Sequence, residues 1–546
     1  MANMDNSFIK ANILGPGANG AVTENGAISY ATAGTALLDQ FFKAGAYRGR
    51  DISTVWSEQN RLWAEDPIAA LKFPFYLRMI TRQSNIIGGE KTEKVQRGQG
   101  AKDESFKRLL WIAKYHPEKF YRNLWVLPIV GSWKDLWVLM AFDGADFLDH
   151  KRFFEVIAKG INDPNHKDLV KKFLPRIRSF KKCTTDWAKR TNALAKEFAN
   201  FAGWSYKDYR EFKATGKAHA FQTTICSGMY DDINWNVIPG KALLNLVSGK
   251  FIANHGLNDS YLKWLKSQPV AKFNGYAFEL ARRLSPHGVG TTASLIARTT
   301  IDKQFDGLIE TAKKNGGAIT GNVLCGLDTS ASMTWTTLDK AGTMPLHVCL
   351  SLGIYFSELN TGAFHNVVAE FSTESKLHTL SGTFSDKWDY ISRHCHGYGS
   401  TNFQSLVDLI VKTRQEHPEF PLEDFPKTLL VVSDMQFNPS TGYGRNGNEL
   451  TNYQAAISKL SMVFPKEFLD EFKIVWWYCT NRTTDDVPST MDDAGTYLLG
   501  GFDGSVISFV LGGNAVKKDE NGNTVQPTME DVVNDALGQE ALALVA

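Results

Sequence analysis

Oxygen-bearing side chains are concentrated in a short segment of the chain. Asp328, Ser330 and Ser332 form an Asp-x-Ser-x-Ser pattern directly after an apolar run at 323–327. The run predicts a buried strand, and the small polar residues predict the turn that leaves its carboxyl end, where open α/β sheets bind ligands. One carboxylate and two hydroxyls can converge on a hard cation such as Mg²⁺, which prefers oxygen ligands. Taken alone, the pattern is equally typical of an Asx turn or a helix cap.

Two later segments carry similar polar residues at comparable places. Thr401 follows a Gly-rich turn and precedes an amphipathic helix in HGYGSTNFQSLVDLI, and Asp434 ends the apolar strand of TLLVVSDMQFN. In this order the three segments resemble the metal-ion-dependent adhesion site of von Willebrand factor A domains. The resemblance implies that Asp328, Ser330, Ser332 and Thr401 hold the ion, with Asp434 bound directly or through water. It also implies that a partner carboxylate completes the shell.

The expected cofactor is therefore a divalent cation, Mg²⁺ first, with Mn²⁺ or Ca²⁺ as alternatives. Activation of water at such an ion needs a general base, and the three segments contain no Glu. Sites of the resembling family bind ligands, so we predict a binding module and not an enzyme. The nearby triplet His394-Cys395-His396 lacks the usual ligand number and spacing of a transition-metal site. Strand alternation with both His on one face is the favoured interpretation of that triplet.

Composition indicates a globular protein with more than one domain. The chain has 546 residues, of which 43% are hydrophobic and 22% charged, so two or three domains are expected. Its N-terminus has no apolar leader segment and its apolar runs are too short to cross a bilayer. Six cysteines without any C-x-x-C pair favour reduced thiols and a cytoplasmic location.

The formal net charge of +2 conceals an uneven distribution. Residues 1–316 carry 46 Lys and Arg against 30 Asp and Glu, whereas residues 317–546 carry 14 against 28. A positive half of this size is the electrostatic footprint of a polyanion-binding surface. The acidic half suits a cation site and repels nucleic acid. Any RNA ligand is therefore expected on the N-terminal part.

Hydrophobic spacing divides the chain into three predicted parts. Residues 1–28 are expected to form an arm, and residues 29–316 show the three- and four-residue spacing of roughly twelve to fifteen helices, which predicts a HEAT-like helical-repeat solenoid. Residues 317–546 alternate strands and helices, as in a mainly parallel, doubly wound α/β domain. The expected strands are 321–328, 365–372, 427–434, 472–479 and 505–511. A last helix within 529–545 is expected to pack back on the sheet.

Several motifs in the helical half resemble the TROVE-type module of Ro ribonucleoproteins and its relatives that carry an A domain. They are Gly88-Gly89-Glu90, Gly131-Ser132-Trp133-Lys134-Asp135, KKFLPR at 171–176 and VIPGKALL at 237–244. The resemblance spans most of residues 25–515. It implies a ring of HEAT-like repeats closed by the A domain, which binds small noncoding RNA or the ends of misfolded RNA. No RNA contact of that family can be assigned to an individual residue here.

The densest basic segment is 151–200, with 13 Lys and Arg against 5 Asp and Glu. Basic side chains contact phosphates, and interleaved aromatic residues can stack on unpaired bases. The alternative is a solvated helix face whose aromatic residues belong to the core. The candidate RNA-binding residues are Lys171, Lys172, Arg176, Arg178, Lys181, Lys182, Lys189 and Arg190.

Together these patterns predict a non-enzymatic RNA-binding scaffold whose A domain closes the ring or recruits a partner through its ion. The alternative hypothesis is a metal-dependent protein–protein adaptor without an RNA ligand, in which the ion captures an acidic residue of the partner. A metal-dependent hydrolase has less support, because no general base is in place. No membrane partner is expected.

Overall fold

The computed structural model describes fourteen segments of the chain. These are residues 20–81, 85–87, 90–92, 95–215, 220–249, 251–285, 293–339, 341–395, 398–440, 449–482, 486–511, 517–518, 524–525 and 527–546. Within them, no helix is long and apolar enough to cross a membrane.

Two compact units make up the chain. The first contains residues 1–48 and 238–535, and the second contains residues 49–237 and 536–546. These units divide the chain differently from the boundaries expected at 28 and 316, because residues 238–316 belong to the same unit as the sheet. The broad expectation of a helical part and an α/β part is confirmed.

A six-stranded mixed sheet forms the centre of the first unit. Its strands are β1 (Val323–Asp328), β2 (Val367–Phe371), β3 (Ser375–Thr379), β4 (Thr428–Ser433), β5 (Lys473–Tyr478) and β6 (Thr496–Gly500). Their order across the sheet is β6-β5-β4-β1-β2-β3, and only the edge strand β3 runs antiparallel to its neighbour. Every residue of β1 and β4 is buried, as expected for parallel strands covered on both faces.

Helices and two short strand pairs complete the first unit. The strand pairs are Gly20–Val22 with Ile28–Tyr30 and Lys517–Lys518 with Thr524–Val525. The α-helices are Ala36–Lys43, Gly240–Ser248, Phe251–Asn254, Asn258–Ser267, Ala277–Leu284, Leu295–Lys314, Pro345–Leu359, Phe384–His394, Phe403–Glu416, Asn452–Leu460, Lys466–Glu471 and Ser508–Leu511. The helix Met529–Leu537 crosses the boundary at 535, and 3₁₀ turns lie at Ala331–Thr334, Leu422–Asp424 and Gly504–Ile507.

Side-chain contacts explain why the helices before residue 316 belong with the sheet. The buried Trp388 donates its ring N–H to the hydroxyl of Ser285 at 2.9 Å. Asp302 accepts hydrogen bonds from the amide and the hydroxyl of Ser385 at 2.7 and 2.9 Å. The rings of Phe305 and Phe384 stack with their centroids 4.1 Å apart. Polar and aromatic contacts therefore join the two stretches into one core.

The second unit is helical, with one short strand pair, Asn85–Ile87 with Glu90–Thr92. Its α-helices are Ile52–Glu65, Pro67–Arg78, Lys102–Tyr115, Pro117–Asn123, Leu127–Val130, Trp133–Met140, His150–Asn162, Lys167–Phe173, Asp186–Phe201, Tyr206–Ala214, Ala220–Cys226 and Glu540–Ala543. Its 3₁₀ turns are Leu124–Val126, Phe180–Lys182, Tyr230–Asp232 and Trp235–Val237.

Three local expectations were wrong. The strand expected at 505–511 is a 3₁₀ turn followed by a short helix, because Asp503 caps this turn by accepting from the amide of Ser505 at 3.0 Å. Cys395 follows the helix Phe384–His394 and does not lie on a strand, whereas His396 falls outside the described residues. The single helix expected within 529–545 is two helices, Met529–Leu537 and Glu540–Ala543, and only residues up to 535 belong to the unit of the sheet. Residues 536–546 belong to the helical unit, where the side-chain amide of Gln539 bonds the backbone of Arg97.

Candidate functional site

The five candidate metal ligands lie on three loops that hydrogen bonds hold together. Asp328 ends β1 and Asp434 directly follows β4, and these parallel strands are neighbours, so their carboxyl ends meet at one edge of the sheet. The loop of Thr401 contacts both others. The carbonyl of Thr401 accepts from the amide of Asn438 at 2.9 Å, and the carbonyl of Gly399 accepts from the amide of Ala331 at 3.5 Å.

Backbone conformation at this edge is specialised. Gly399, two residues before Thr401, has φ of +88°, a conformation that glycine adopts without a steric penalty. Met435, directly after Asp434, has φ of 62° although it carries a side chain. Such residues persist where the surrounding structure holds them, and they are concentrated at binding and active sites.

Asp328 is buried and both of its carboxylate oxygens are hydrogen-bonded. The amide of Ser330 donates to Oδ1 at 2.9 Å, which is the Asx turn that the sequence pattern left open as an alternative. The hydroxyl of Ser433 donates to Oδ2. The hydroxyls of Ser330 and Ser332 lie 3.1 Å apart. Turn formation and metal binding are compatible here, because a carboxylate oxygen has more than one lone pair.

Asp434 has an oxygen atom that its surroundings leave unsatisfied. Its Oδ1 accepts from the amide of Gln436 at 3.1 Å, whereas its buried Oδ2 has no hydrogen-bond partner. Nη1 of Arg482 lies 3.8 Å from Oδ2, too far for a hydrogen bond. A buried carboxylate oxygen without a donor is unfavourable, and a cation is one group that would satisfy it.

Burial makes both carboxylates harder to ionise. Burial, followed by the charge of Asp434, raises the pKa of Asp328 to about 7. Burial also raises the pKa of Asp434, and the nearby hydroxyl of Ser332 offsets part of this rise. A divalent cation would offset both charges, and the donor set consists only of oxygen, as Mg²⁺, Mn²⁺ and Ca²⁺ prefer. The residues present therefore fit the expected ion.

The turn between the first two short strands lies against these loops. The side-chain amide of Asn25 donates to the carbonyl of Gln436 at 2.5 Å and lies 3.5 Å from the hydroxyl oxygen of Thr401. The carboxylate of Glu24 forms an ion pair with Arg482, the same side chain that lies beside Asp434. An acidic side chain of the chain itself thus stands next to the candidate metal centre.

Sequence reasoning missed this turn. Residues 1–28 were expected to form an arm, and residues 1–19 lie outside the described part of the chain. The contacts join positions more than 370 residues apart, and a short polar segment carries no pattern that reveals such a partner. Ser433 and Arg482 were missed for the same reason.

The eight candidate RNA-binding residues fall into three groups in the second unit. Lys171 and Lys172 extend over aromatic rings, with their ammonium nitrogens 4.6 Å from the ring of Phe212 and 5.5 Å from that of Phe173. Lys189 pairs with Asp186 at 3.0 Å.

Arg190 has a structural role. Its guanidinium donates to the carbonyls of Ala141 and Phe142 and pairs with Asp143 at 2.6 Å. These carbonyls lie just after the helix Trp133–Met140, where a cation is favourable.

The last four candidates are available to a ligand. All four are exposed, and none of them forms an ion pair with any residue that the structure describes. They are Arg176, Arg178, Lys181 and Lys182.

Hydrogen bonds from the following helices fix the backbone of the segment that carries these residues. The hydroxyl of Tyr209 donates to the carbonyl of Pro175 at 2.8 Å, and the ammonium group of Lys213 donates to the carbonyl of Leu174. The amide of Arg178 donates to the side chain of Asn192 at 2.8 Å. Trp187 follows nearby in the chain with 44% of its surface exposed, so for this residue the alternative interpretation, in which the aromatic side chains belong to the core, is wrong.

Comparison with known proteins identifies similar sequences over both parts. A domain of unknown function, DUF2828, matches residues 23–220, and another, DUF7788, matches residues 322–542. An uncharacterized protein of Acanthamoeba polyphaga mimivirus, L728, is 23% identical over 540 residues, covering 90% of this chain and 85% of its own length. The similarity to this protein therefore extends over both parts of the chain.

Proposed function

We propose that the chain is a non-enzymatic, cytoplasmic RNA-binding scaffold of TROVE-like, HEAT-repeat type, with a Mg²⁺ site in a von Willebrand factor A-like domain. The observation that carries the proposal is the exposed basic group of Arg176, Arg178, Lys181 and Lys182, none of which pairs with a described acidic residue. Unpaired cations are poised to neutralise phosphates, and their counterions are released on binding.

Two further observations support an RNA ligand. Residues 49–237 and 536–546 together contain 32 Lys and Arg against 23 Asp and Glu, so the unit that carries the basic group is positive as a whole. The exposed indole of Trp187 offers a stacking surface for an unpaired base, and such stacking contributes about 1–3 kcal/mol per base. Single-stranded RNA is the ligand that uses both features.

The test replaces Arg176, Arg178, Lys181 and Lys182 together by glutamine and titrates a labelled single-stranded uridine oligonucleotide over a series of salt concentrations. The slope of log K against log salt is negative, and each lost phosphate contact reduces its magnitude by roughly 0.7, so the fourfold variant should show a slope smaller in magnitude by roughly 3. The control is Lys207→Gln, because this exposed lysine lies outside the basic group and already pairs with Glu211. An unchanged slope in the fourfold variant would remove this surface from the proposal.

A metal-dependent protein–protein adaptor is the second candidate, and the turn beside the metal centre favours it. Glu24 reaches Arg482 and Asn25 reaches the Thr401 loop, so this turn lies where an acidic residue of a partner would approach. A partner would compete with a weak, partly exposed ion pair, since the Glu24 side chain is 52% exposed. Exposed pairs of this kind contribute little to stability.

Loosening the turn is therefore expected to increase capture of a protein partner. Glu24→Gln with Asn25→Ala should raise several-fold the amount of one protein retained from an RNase-treated lysate in Mg²⁺, compared with the wild type. EDTA, or Asp328→Asn in the same background, should abolish this retention. Equal retention with and without Mg²⁺ would contradict the adaptor hypothesis and leave the RNA proposal unaffected.

A further inference from the structure

A second group of side chains that could hold a metal ion lies at the edge of the sheet formed by β2 and β3. Glu370 on β2, His378 on β3 and Cys395 after the helix Phe384–His394 place their ligand atoms within 4.8 Å of one another. His378 and Cys395 are almost fully buried, and the Glu370 side chain is 19% exposed. None of the three belongs to the oxygen-only centre described above.

Strand register brings the first two together. Val368 pairs with His378 across the antiparallel strands, and Glu370 pairs with Lys376. Side chains two residues apart on a strand share a face, so Glu370 and His378 are diagonal neighbours on one face. The end of the helix then brings Cys395 to the same place, where its amide caps the carbonyl of Ile391 at 2.8 Å.

Two distances in the group are close to those around a tetrahedral ion. Nε2 of His378 lies 3.1 Å from Oε1 of Glu370 and 3.9 Å from Sγ of Cys395. Zinc bonds of about 2.0–2.3 Å at tetrahedral angles separate such donor atoms by roughly 3.3–3.6 Å. Shifts of a few tenths of an ångström would therefore complete the geometry.

The direction of the contacts distinguishes a metal site from a catalytic relay. In a thiol–imidazole–carboxylate relay the thiol and the carboxylate contact opposite ring nitrogens. Here both Glu370 and Cys395 face Nε2 of His378. Nδ1 faces the hydroxyl of Tyr390 at 3.2 Å instead, the arrangement by which an outer hydrogen bond orients a metal-binding imidazole.

We propose that Glu370, His378 and Cys395 bind a transition-metal ion of the Zn²⁺ class, with water at the fourth position. The combination of thiolate, imidazole and carboxylate selects Zn²⁺ over Mg²⁺ or Ca²⁺, because a soft sulfur ligand disfavours hard cations. Glu370 also lines an open cavity of about 480 Å³ with Ser372 and Lys376, so one of the three ligands is next to solvent. The site goes beyond the proposed function and does not depend on it.

Cobalt is the probe that tests this site. The full-length protein is freed of metal with chelator, saturated with Mg²⁺ to fill the oxygen-only centre, and titrated with Co²⁺. One Co²⁺ per chain is expected to bind with a sulfur-to-cobalt charge-transfer band in the near ultraviolet. Added Zn²⁺ should displace it and remove the band. Absence of that band at saturating Co²⁺ would overturn the proposal.

Variants identify the ligands and distinguish the loss of a ligand from a failure to fold. Cys395→Ser should abolish the band, whereas Cys183→Ser and Cys349→Ser, which alter other buried thiols, should retain it. Tyr390→Phe keeps all three ligands, so the band should remain while affinity for Co²⁺ falls about 10- to 100-fold. Should Cys395→Ser fail to fold, the Tyr390→Phe result decides, and unchanged affinity there contradicts the site. A band that survives Cys395→Ser but disappears in Cys349→Ser would also overturn the proposal.

Discussion

Replacing Asp328 by asparagine is expected to abolish the stabilisation that Mg²⁺ gives to the sheet-bearing unit. Asparagine keeps the volume of Asp328 and can still accept from the amide of Ser330, but it gives up the charge that attracts the ion. A cation present at a hundred times its dissociation constant stabilises a folded protein by about 2.7 kcal/mol. Scanning calorimetry should show that Mg²⁺, Mn²⁺ or Ca²⁺ raises the melting temperature of the wild type and leaves that of Asp328→Asn unchanged.

In the metal-free protein, the same substitution is expected to raise the free energy of unfolding. The pKa of Asp328 is raised from 3.8 to about 7, first by burial and then by Asp434. Between these values the folded chain binds more protons than the unfolded chain, so the free energy of unfolding falls as pH rises from about 4 to 7. In EDTA, Asp328→Asn should therefore be more stable than the wild type above neutral pH and should lose this dependence on pH.

Asp302→Asn is the matched control for the response to Mg²⁺. Asp302 is a partly buried carboxylate of the same unit, and burial raises its pKa as well. It bonds Ser385 and lies outside the candidate metal centre. This variant should keep its response to Mg²⁺. A wild type whose melting temperature is the same in Mg²⁺ and in EDTA would contradict the metal centre itself.

The central strands were predictable because their signal is local. The apolar runs of β1, β4 and β5 are buried throughout or nearly so, and each fell within a residue or two of its expected bounds. The edge strand β3 was missed, since its sequence SKLHT is largely polar and exposed. It pairs with β2 through backbone hydrogen bonds, which leave no hydrophobic pattern in the sequence.

In the candidate site, too, the residues close together in the sequence were predictable, whereas those brought together by the fold were not. Asp328, Ser330 and Ser332 lie within five residues, so their spacing indicated a shared ligand before any fold was considered. The contacts of Asn25 and Glu24 with this edge depend on a chain path that no local pattern specifies. The group of Glu370, His378 and Cys395 is similar. Its spacing of 8 and 17 residues fits no short zinc motif, and only strand register and a helix end unite it.

A buried aspartate explains one motif that suggested an RNA-binding family. Asp135 of Gly131-Ser132-Trp133-Lys134-Asp135 is fully buried and pairs with Arg78 at 2.6 Å and Lys102 at 2.9 Å. It also accepts from the amide of Ser132 at 2.8 Å at the start of a helix. A Cβ at Gly131 would lie 2.3 Å from Oδ2 of Asp135, so glycine is needed for this close approach. The motif thus serves the packing of the helical unit.

Asp135→Asn is therefore expected to lower the free energy of unfolding of the helical unit by about 3–5 kcal/mol, because it leaves the buried guanidinium of Arg78 without a counter-charge. Urea denaturation followed by circular dichroism measures this change. Asp143→Asn is the control, since Asp143 pairs with Arg190 at the surface with its side chain 91% exposed, and little change in stability is expected. If Asp135→Asn kept full stability but lost affinity for the uridine oligonucleotide, the motif would have to contact RNA directly. The buried ion pair predicts the reverse, with affinity retained in whatever fraction of the variant stays folded.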